Sequence, residues 1–460
     1  MKDVKDISIN KKESIKEAMR IIDRGGVKTG VVIDDKNKLC GIVTDGDIRR
    51  GILEGKHIDE EISNVMNLDP VFAYISDSKQ KVIEVMKKKD IIGGIPIVDG
   101  SKTVRDFAVI TEGKDISYFN MSKHINNHLK KILVIGGAGY LGSVLVKKLL
   151  AKGYSVNVLD KFIYVKDSLK SLSSNPYLNV IEGDTRHIED INQAIKGVDA
   201  VVHLAELVGD PACALNPQTT QEINYLATKT TAEICKHFQI NRMVYASSCS
   251  VYGASKDGNL LTEDSPLNPV SLYAKMKIAS EDALLEMKDE NFLPTILRFA
   301  TIFGHSSRPR FDLVVNTLTA KAVKEGKITI FGGDQWRPNV YVGDVADTII
   351  SVLEAPIEKV GGEIFNVGSE KNNYTINQIG EMIKEAVPSA ELIIDEKDID
   401  KRDYKVDFTK LRETLNMDLK TSIIDGVNEI KSALETGKTL DYTDSKYSNI
   451  KFLEDNGRNL

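Results

Sequence analysis

The sequence predicts an α/β chain in which a doubly wound parallel sheet follows a smaller α+β pair of repeats. From Lys131 onward, apolar strands alternate with longer helical segments, a rhythm typical of a parallel sheet covered by helices. Before residue 123, a helix–strand–turn–strand–helix pattern occurs twice, and neither copy is long enough to bury a core alone. We therefore expect the two copies to pack together as one small domain.

Each element follows from the apolar pattern of its own segment. The first repeat has a helix near 14–23, strands at 30–33 and 39–43, and a helix from Gly46. The second has a helix near 78–88 and strands at 95–98 and 107–110. The parallel strands are expected at 132–135, 155–159, 180–182, 200–204, 243–246 and 295–299. The resulting division is a repeat pair at 1–122, a linker at 123–130, the sheet domain at 131–435 and a polar tail at 436–460, to which the pattern assigns no structure.

Length and composition limit the possible functions. With 460 residues, of which 42% are hydrophobic and 28% charged, the chain has the composition of a soluble globular protein with more than one core. The net charge of -6 argues against nucleic-acid binding, because a phosphate backbone demands a basic face. Charged residues directly after Met1, no apolar run of membrane-spanning length and scattered cysteines lead us to expect a cytoplasmic protein without disulfides or a metal site.

A glycine-rich turn follows the first parallel strand. Gly136, Gly139 and Gly142 have GxxGxxG spacing between a strand and a helix. Such spacing lets the pyrophosphate of a dinucleotide approach bare amides at a helix N-terminus, where the helix dipole favours anions. Because glycine triplets also simply make turns, the surrounding residues decide the interpretation.

Two carboxylates support a dinucleotide site. Asp160 closes the second strand, where it can bind the adenosine ribose and repel a 2′-phosphate, which favours NAD over NADP. Asp184 follows the third strand, within reach of the adenine amino group. The alternative for Asp160 is a solvated turn or helix cap. The residues expected to contact the cofactor are Gly136, Gly139, Tyr140, Leu141, Gly142, Asp160, Asp184, Thr185, Leu204, Ala205, Tyr273 and Lys277.

Tyr273, Lys277 and Ser248 form a candidate catalytic set. Tyr273 and Lys277 are four residues apart, so on a helix they share one face. An ammonium group there stabilises the phenolate and moves the tyrosine pKa toward the range of a general base. Ser248 follows an apolar strand, where its hydroxyl can bond the substrate oxygen that Tyr273 deprotonates. Taken alone, these residues also fit a solvated helix face and a serine-rich loop.

Residues 131 to about 435 resemble the extended short-chain dehydrogenase/reductase family, in its nucleotide-sugar epimerase/dehydratase branch. The matching residues follow the family's order: the glycine turn, Asp160, His203-Leu-Ala205, Asn224, Ser248, Val251-Tyr-Gly253, Tyr273, Lys277 and Arg298. The resemblance implies a Rossmann sheet with a smaller C-terminal substrate lobe, and NAD as cofactor. It also implies that Tyr273 is the base, that Lys277 tunes it and orients the nicotinamide ribose, and that Ser248 aligns the substrate hydroxyl.

The residues after Ser248 bear on the reaction. The family's 4,6-dehydratases have an Asp-Glu pair there, whereas this chain has Cys249 and Ser250, so elimination lacks its acid/base pair. Relatives that epimerise at C3 and C5 tend to have Cys at the position of Ser250, so Cys249 is interpreted as a space-filling residue. We therefore expect a nucleotide-sugar epimerase that acts at C4 by oxidation, rotation of the keto-sugar and re-reduction. The alternatives are a nucleotide-sugar reductase, dehydrogenase or dehydratase, and a sensor that binds NAD without turnover.

The substrate end is expected to hold the nucleotide diphosphate. Arg337 resembles the family's phosphate-binding arginine, and Arg402 resembles the later arginine that closes on the same group. Guanidinium groups bind a diphosphate bidentately, while the alternative is a surface salt bridge. Thr301 replaces the usual Asn near the phosphate, and the following insert, with Arg308, Arg310 and Asn316, is expected to compensate.

Residues 1–122 resemble a pair of CBS domains. Thr44 and Asp47, in Gly-Ile-Val-Thr-Asp-Gly-Asp, are spaced to hold the ribose and phosphate of an adenine nucleotide. The second half has Lys114 in place of the aspartate, so at most one nucleotide per pair is expected. Alternatively, the pair is a dimerisation platform in which Thr44 and Asp47 cap a helix. By analogy with both modules we expect a homodimer or homotetramer.

Overall fold

A computed structural model describes residues 4–25, 28–75, 77, 79–88, 91, 94–110, 116–118, 129–254, 260–395, 402–437 and 441–456. The chain divides into two compact units, Met1–His128 with Pro356–Glu358 and Leu129–Ala355 with Lys359–Leu460. Only Leu129 and Lys130 of the expected linker 123–130 are among the described residues. No described helix combines the length and apolar character needed to cross a membrane.

The first unit repeats one pattern of strand pairing. Its strands are β1 (Ser8–Asn10), β2 (Thr29–Ile33), β3 (Leu39–Thr44), β4 (Ala73–Tyr74), β5 (Ile95–Val98), β6 (Val104–Ile110) and β7 (Ile116–Tyr118). Its helices are α1 (Ile15–Gly25), α2 (Asp45–Leu53) and α3 (Lys79–Lys88). In the first repeat β1 is parallel to β2, which is antiparallel to β3; in the second β4 is parallel to β5, which is antiparallel to β6. The shared pairing supports the duplication seen in the sequence.

The chain after residue 129 alternates strands and helices. Its strands are β8 (Lys131–Ile135), β9 (Ser155–Asp160), β10 (Leu178–Glu182), β11 (Ala200–His203), β12 (Arg242–Ser248), β13 (Leu260–Leu261), β14 (Leu293–Phe299), β15 (Thr301–Phe303), β16 (Lys327–Phe331), β17 (Trp336–Tyr341), β18 (Ile364–Val367), β19 (Asn373–Thr375), β20 (Glu391–Asp395) and β21 (Lys405–Val406). Its helices are α4 (Tyr140–Ala151), α5 (Ile188–Ala194), α6 (Asp210–Leu215), α7 (Pro217–Gln221), α8 (Ala227–His237), α9 (Leu272–Glu286), α10 (Val314–Glu325), α11 (Val342–Glu354), α12 (Ile357–Val360), α13 (Ile376–Ala386), α14 (Thr409–Leu415), α15 (Ile423–Glu435) and α16 (Asn449–Asn456).

The main sheet is parallel and doubly wound. Its strand order is β10-β9-β8-β11-β12-β14-β18, so the chain starts at the centre, proceeds to one edge and then crosses to the other side. Alternate residues of β8 face opposite cores, where Leu145 of α4 and Ile349 of α11 pack on one face and Ile191 of α5 and Leu284 of α9 on the other. This confirms the predicted fold class. The reversal of strand order beside β8 creates a crevice at the carboxyl ends of the strands, where ligands bind in such sheets.

A smaller C-terminal lobe follows β14, as expected, while its role in binding substrate stays a prediction. It contains the sheet β15-β17-β19 and the pair β16-β20. Phe303, Ile328 and Ile379 are buried in its core, together with residues of α10 and α15.

The part of the C-terminal segment that the structure describes after residue 440, residues 441–456, contains helical structure, although the apolar pattern assigned none to it. A 3-10 turn, Ser445–Tyr447, precedes α16. Phe311 contacts the ring of Tyr447 edge-on at 6.0 Å between centroids, and Leu453 is buried against the catalytic region. These apolar residues stand singly in a polar segment, without the periodicity by which a buried helix is recognised.

Candidate active site

The glycine-rich turn between β8 and α4 forms an open anion cradle. Gly136 has a φ of +83°, and a Cβ there would lie 2.7 Å from the amide nitrogen of Ala205. A Cβ on Gly142 would overlap the carbonyl oxygen of Gly136. Gly139 is the N-cap of α4 and provides no side-chain cap, so the first-turn amides remain available to an anion. The turn therefore fits the pyrophosphate of a dinucleotide.

Two cavities meet at this turn. The larger cavity has a volume of about 660 Å³ and contains the catalytic candidates; the smaller has a volume of about 110 Å³ and contains Asp160, Asp184, Thr185 and Ala205. The residues that line both cavities are Gly136, Gly139, Tyr164, Leu204, Glu206 and Arg308. Tyr140, Leu141 and Gly142 line the larger cavity only. Every residue expected to contact the cofactor thus lines one or both cavities.

Asp160 lies at the end of β9 and also holds the glycine turn. Its carboxylate accepts hydrogen bonds from the amides of Ala138 and Phe162, both at 2.8 Å. Burial raises the pKa of Asp160, and the two amide hydrogen bonds oppose this effect. The side chain therefore stabilises the turn and also lines the smaller cavity, while its contact with a ribose stays a prediction.

Asp184 lines the smaller cavity in a paired state. Its carboxylate lies 2.6 Å from the Arg186 guanidinium and 2.9 Å from the Lys161 ammonium. Burial would raise the pKa of Asp184, but the hydrogen bonds from Arg186 and Lys161 outweigh it and hold that pKa well below its usual range. Contact between Asp184 and an adenine amino group stays a prediction.

The structure brings Ser248, Tyr273 and Lys277 together in the larger cavity. Ser248 ends β12 and lines this cavity together with Tyr273 and Lys277. Tyr273 lies in the first turn of α9, which Ser271 caps by accepting a hydrogen bond from the amide of Ala274. Lys277 follows one turn later, with Nζ 5.4 Å from the centroid of the Tyr273 ring. The spacing on the helix face is as the sequence predicts.

Glu206 is a site residue that the sequence analysis missed. Its Oε2 lies 2.5 Å from Lys277 Nζ, and both side chains are almost completely buried. Its Oε1 accepts a hydrogen bond from the hydroxyl of Tyr245 at 2.7 Å, while Lys277 also donates to the carbonyl of Ala246. The only available signal was position, since Glu206 directly follows the His203-Leu-Ala205 match.

Glu206 affects the protonation of the catalytic tyrosine. Burial raises the pKa of Tyr273 well above its usual value, and the negative charge of Glu206 raises it further. The hydrogen bond with Ser248 opposes both effects. Because the charge of Lys277 is paired with Glu206, less of it is available to stabilise a phenolate on Tyr273.

The two residues after Ser248 face opposite directions. Cys249 lies in the core, where Sγ donates to the carbonyl of Arg298 at 3.2 Å and burial raises the pKa of the thiol. This confirms its interpretation as a space-filling residue. Ser250 lines the larger cavity instead. The described carboxylates that line this cavity each pair with a cation: Glu206 with Lys277, Asp210 with Arg402 and Asp312 with Arg310.

The residues of the expected diphosphate clamp also line the larger cavity. Thr301, Arg337 and Arg402 all line it. Arg337 donates to the carbonyls of Trp336, at 2.8 Å, and Arg402. Arg402 lies 3.2 Å from Asp210. The second oxygen of Asp210 accepts a hydrogen bond from the Ser271 hydroxyl at 2.7 Å, so the clamp is linked to the N-cap of the catalytic helix.

The insert after β15 differs from expectation in one residue. Arg310 lines the larger cavity and pairs with Asp312 at 2.9 Å. Asn316 does not line it: the amide is buried, accepts from the Gly304 amide at 3.0 Å and donates to the Arg310 carbonyl at 2.9 Å. Its short polar side chain satisfies backbone groups of the insert, so Asn316 positions the loop rather than facing the substrate space.

In the first unit, Thr44 and Asp47 form a capping box at α2. Thr44 Oγ1 donates to Asp47 Oδ2 at 2.6 Å, and the Asp47 amide donates to Thr44 Oγ1 at 3.3 Å. This is the helix-cap alternative considered from the sequence. Lys114 of the second repeat lies outside the described residues. Among the described ranges, no group of His, Cys, Asp and Glu side chains is arranged to hold a metal ion.

Comparison with known families matches both parts of the chain. The family model described as "NAD dependent epimerase/dehydratase family" matches residues 132–368, and the CBS domain model matches residues 1–54 and 62–108. These matches cover the glycine turn, the catalytic set and Arg337 in the second unit, and Thr44 with Asp47 in the first.

The second unit is similar in sequence or in fold to proteins that have different activities. A putative UDP-glucose 4-epimerase of Methanocaldococcus jannaschii is 31% identical over 56% of this chain and 82% of its own length. The human decarboxylating sterol-4-alpha-carboxylate 3-dehydrogenase is 34% identical over 55% of this chain, and the match spans 65% of that protein. The structure of Bacillus cereus UDP-glucuronic acid 4-epimerase with UDP-glucuronic acid and NAD has a TM-score of 0.61 at 26% identity and covers 66% of this chain and 99% of its own. The chain therefore belongs to the NAD dependent epimerase/dehydratase family and has CBS domains ahead of the family's domain.

Proposed function

We propose that this chain is an NAD-dependent nucleotide-sugar epimerase that inverts the hydroxyl at C4. The observation that carries the proposal is the larger cavity, in which Ser248, Tyr273 and Lys277 meet while every described lining carboxylate is paired with a cation. A redox step at a hydroxyl needs only the first group of residues, whereas elimination also needs an acid poised beside the sugar ring. The putative UDP-glucose 4-epimerase of Methanocaldococcus jannaschii and the UDP-glucuronic acid 4-epimerase of Bacillus cereus carry the name of the reaction that we propose here.

The two cavities fit NAD. The glycine turn would hold the pyrophosphate at the N-terminus of α4, Asp160 the adenosine ribose and Lys277 the nicotinamide ribose. NAD bound in this way supplies a hydride acceptor that becomes a hydride donor within the same turnover, so no external redox partner is needed.

Tyr273 and Ser248 would handle the proton of the reacting hydroxyl. Ser248 donates a hydrogen bond to the oxygen of the reacting sugar hydroxyl. Tyr273 accepts the proton of that hydroxyl as the carbon becomes a ketone. After the ketose has turned in the cavity, Tyr273 returns the proton to the new hydroxyl. Lys277 favours the phenolate only when its charge is shared between Tyr273 and Glu206, so the Glu206 pair sets the pH range of this step.

Arg337 and Arg402 would hold the diphosphate during this rotation. Both arginines and Thr301 line the larger cavity. A volume of about 660 Å³ is within the range of small-molecule sites. Anchoring the substrate through its diphosphate leaves the sugar free to present either face, which epimerisation requires and a one-way reductase does not.

Regulation by an adenine nucleotide at Thr44 and Asp47 is a separate part of the proposal. The capping box must open for these side chains to bind a ribose and phosphate, because Thr44 and Asp47 bond each other. Allosteric control requires that nucleotide binding in the first unit change a binding constant or turnover in the second. If AMP, ADP and ATP change neither, the regulatory part is wrong.

The deciding experiment is NMR of the purified protein with UDP-, GDP-, CDP- and dTDP-hexoses and no added reductant. We expect one sugar nucleotide to be converted into its C4 epimer without accumulation of NADH. Turnover that requires added NADH would favour the reductase, and net formation of NADH a dehydrogenase. If NAD binds and no sugar nucleotide in the panel is changed under either condition, the epimerase proposal is contradicted.

A further inference from the structure

Arg308 is a buried cation at the junction of the two cavities. Of the described residues that line both cavities, it is the one with a positive charge. Its side chain is 3% exposed, and its guanidinium lies 4.2 Å from the centroid of the Tyr164 ring. One Nη donates to Asn449 Oδ1 at 2.6 Å, while Nε has no hydrogen-bond partner among the described residues.

Arg308 forms no ion pair with a described carboxylate, although the charges of Asp312 and Asp160 act on it and favour its protonated form. The neighbouring Arg310 takes the carboxylate of Asp312, and no described carboxylate forms an ion pair with Arg308. Burial and the nearby charge of Arg310 lower the pKa of Arg308 to about 10, so it stays protonated at neutral pH. A buried guanidinium without an anionic partner is costly, and an anionic ligand removes that cost.

The position of Arg308 identifies this anion. A dinucleotide with its adenosine beside Asp160 and its reactive ring beside Tyr273 must pass through the junction, where the glycine turn also lies. We propose that Arg308 binds the pyrophosphate of the bound dinucleotide together with the backbone amides that follow Gly139. Arg308 supplies the positive charge of this site, and the amides supply neutral hydrogen-bond donors. The inference rests on the proposed NAD site and adds a residue from the insert to it.

The C-terminal segment completes this site by fixing Arg308. Asn449 is the first residue of α16 and accepts the hydrogen bond from Arg308. The side-chain Nδ2 of Asn449 also donates to the Val208 carbonyl at 2.9 Å, and the backbone amide of Asn449 donates to the Asp312 carboxylate at 3.0 Å. Phe452, one turn later, contacts the Tyr164 ring that packs on Arg308. Asn449 is therefore a positioning residue that acts on the ligand through Arg308.

The test compares full-length wild type with Arg308→Met and Arg308→Lys by calorimetric titration of NAD, ADP-ribose, adenosine and UDP. Loss of charge-assisted hydrogen bonds worth about 1.5–3 kcal/mol predicts that Arg308→Met binds NAD and ADP-ribose roughly ten- to a hundredfold more weakly. Adenosine and UDP, which do not place a pyrophosphate at the junction, should bind as in wild type. Arg308→Lys should recover part of the affinity because it keeps the charge without the planar fork.

Thermal unfolding separates lost binding from lost folding. Without ligand, Arg308→Met should melt at the wild-type temperature or above, because it removes a buried charge; with NAD it should be stabilised less. Asn449→Ala should weaken ADP-ribose binding in the same sense, whereas Arg412→Met on the surface should not.

Each contrary outcome has a distinct meaning. If wild type binds neither NAD nor ADP-ribose, the proposed dinucleotide site fails and this inference fails with it. If wild type binds ADP-ribose and Arg308→Met binds it equally well, only the role of Arg308 is overturned. A selective loss of UDP affinity would also overturn it, since it would assign Arg308 to the diphosphate of the substrate.

Discussion

The two units each place a helix N-terminus after a strand, but only one of these termini is open. In the first unit the Thr44 side chain accepts a hydrogen bond from the Asp47 amide of α2, and the Asp47 side chain accepts one from the Thr44 amide. In the second unit Gly139 provides no side-chain cap to α4, and Gly142 keeps the adjoining backbone close. A helix dipole attracts anions in both places, yet a ligand at α4 has no side-chain cap to displace, whereas a ligand at the Asp47 amide of α2 would compete with Thr44. The sequence of the cap thus distinguishes a ready binding site from one that must first open.

The largest expected effect tests whether the open site carries out chemistry. Tyr273→Phe removes the hydroxyl that exchanges the proton, and general acid–base catalysis is typically worth about 10²- to 10⁴-fold in rate. Epimerisation measured by NMR should fall by about that factor, while NAD affinity measured by titration stays near wild type. A variant that keeps its activity would contradict the role of Tyr273.

The second prediction converts the open terminus into a capped one. Gly139→Asp should provide an N-cap for α4 and place a negative charge where the pyrophosphate binds. We expect NAD affinity to fall by about tenfold or more, from the loss of charge-assisted hydrogen bonds, while a helix cap adds about 1 kcal/mol of unfolding free energy. Gly139→Ala is the matched control, since its Cβ meets only the Gly136 carbonyl at 3.2 Å. Unchanged NAD binding in the aspartate variant would contradict the claim that the uncapped N-terminus of α4 binds the pyrophosphate.

The third prediction concerns the buried carboxylate of the second unit. Glu206→Gln removes a negative charge that raises the pKa of Tyr273 and frees the charge of Lys277, so both effects lower that pKa. Activity that needs the phenolate rises as pH passes this pKa, and the acid limb of the pH–rate profile should move to lower pH. Glu206→Asp keeps the negative charge, so its pH–rate profile should stay closer to that of wild type. If the profile is unchanged in both variants, Glu206 has no effect on the protonation of Tyr273.

The smallest effect is expected at the capped terminus. Thr44→Val removes the side-chain oxygen that accepts from the Asp47 amide, and the loss of an N-cap costs about 1 kcal/mol. Chemical denaturation should show this loss in the first unit, with little change in NAD affinity. A loss of adenine-nucleotide binding in the same variant would show that the cap residues also bind a ligand.

The predictable parts of the structure are those encoded by local periodicity. Six of the seven strands of the main sheet, the glycine turn and the one-turn spacing of Tyr273 and Lys277 each depend on neighbouring residues, and the sequence predicted them. The seventh strand, β18 at the edge of the sheet, was not predicted. Glu206 and Arg308 depend on partners brought from distant elements, Lys277 on α9 and Asn449 on α16. No periodic pattern reports such long-range pairs.

The same distinction explains the residue that was misplaced. Asn316 was grouped with the substrate residues because it follows Arg310 in the insert, but its amide bonds the backbone of that insert. Asparagine side chains readily replace backbone partners in loops, and only the folded path of the chain shows which partner is present.

The link from Arg402 through Asp210 to Ser271 has a consequence for the order of events in a turnover. A diphosphate that engages Arg402 competes with Asp210, whose other oxygen holds the hydroxyl that caps α9. If Arg402 binds the diphosphate as proposed, arrival of the substrate would change the hydrogen bonding at the first turn of the helix that carries Tyr273. Binding of the nucleotide diphosphate and positioning of Tyr273 would then occur together, and a sugar without its diphosphate would not bring about this positioning.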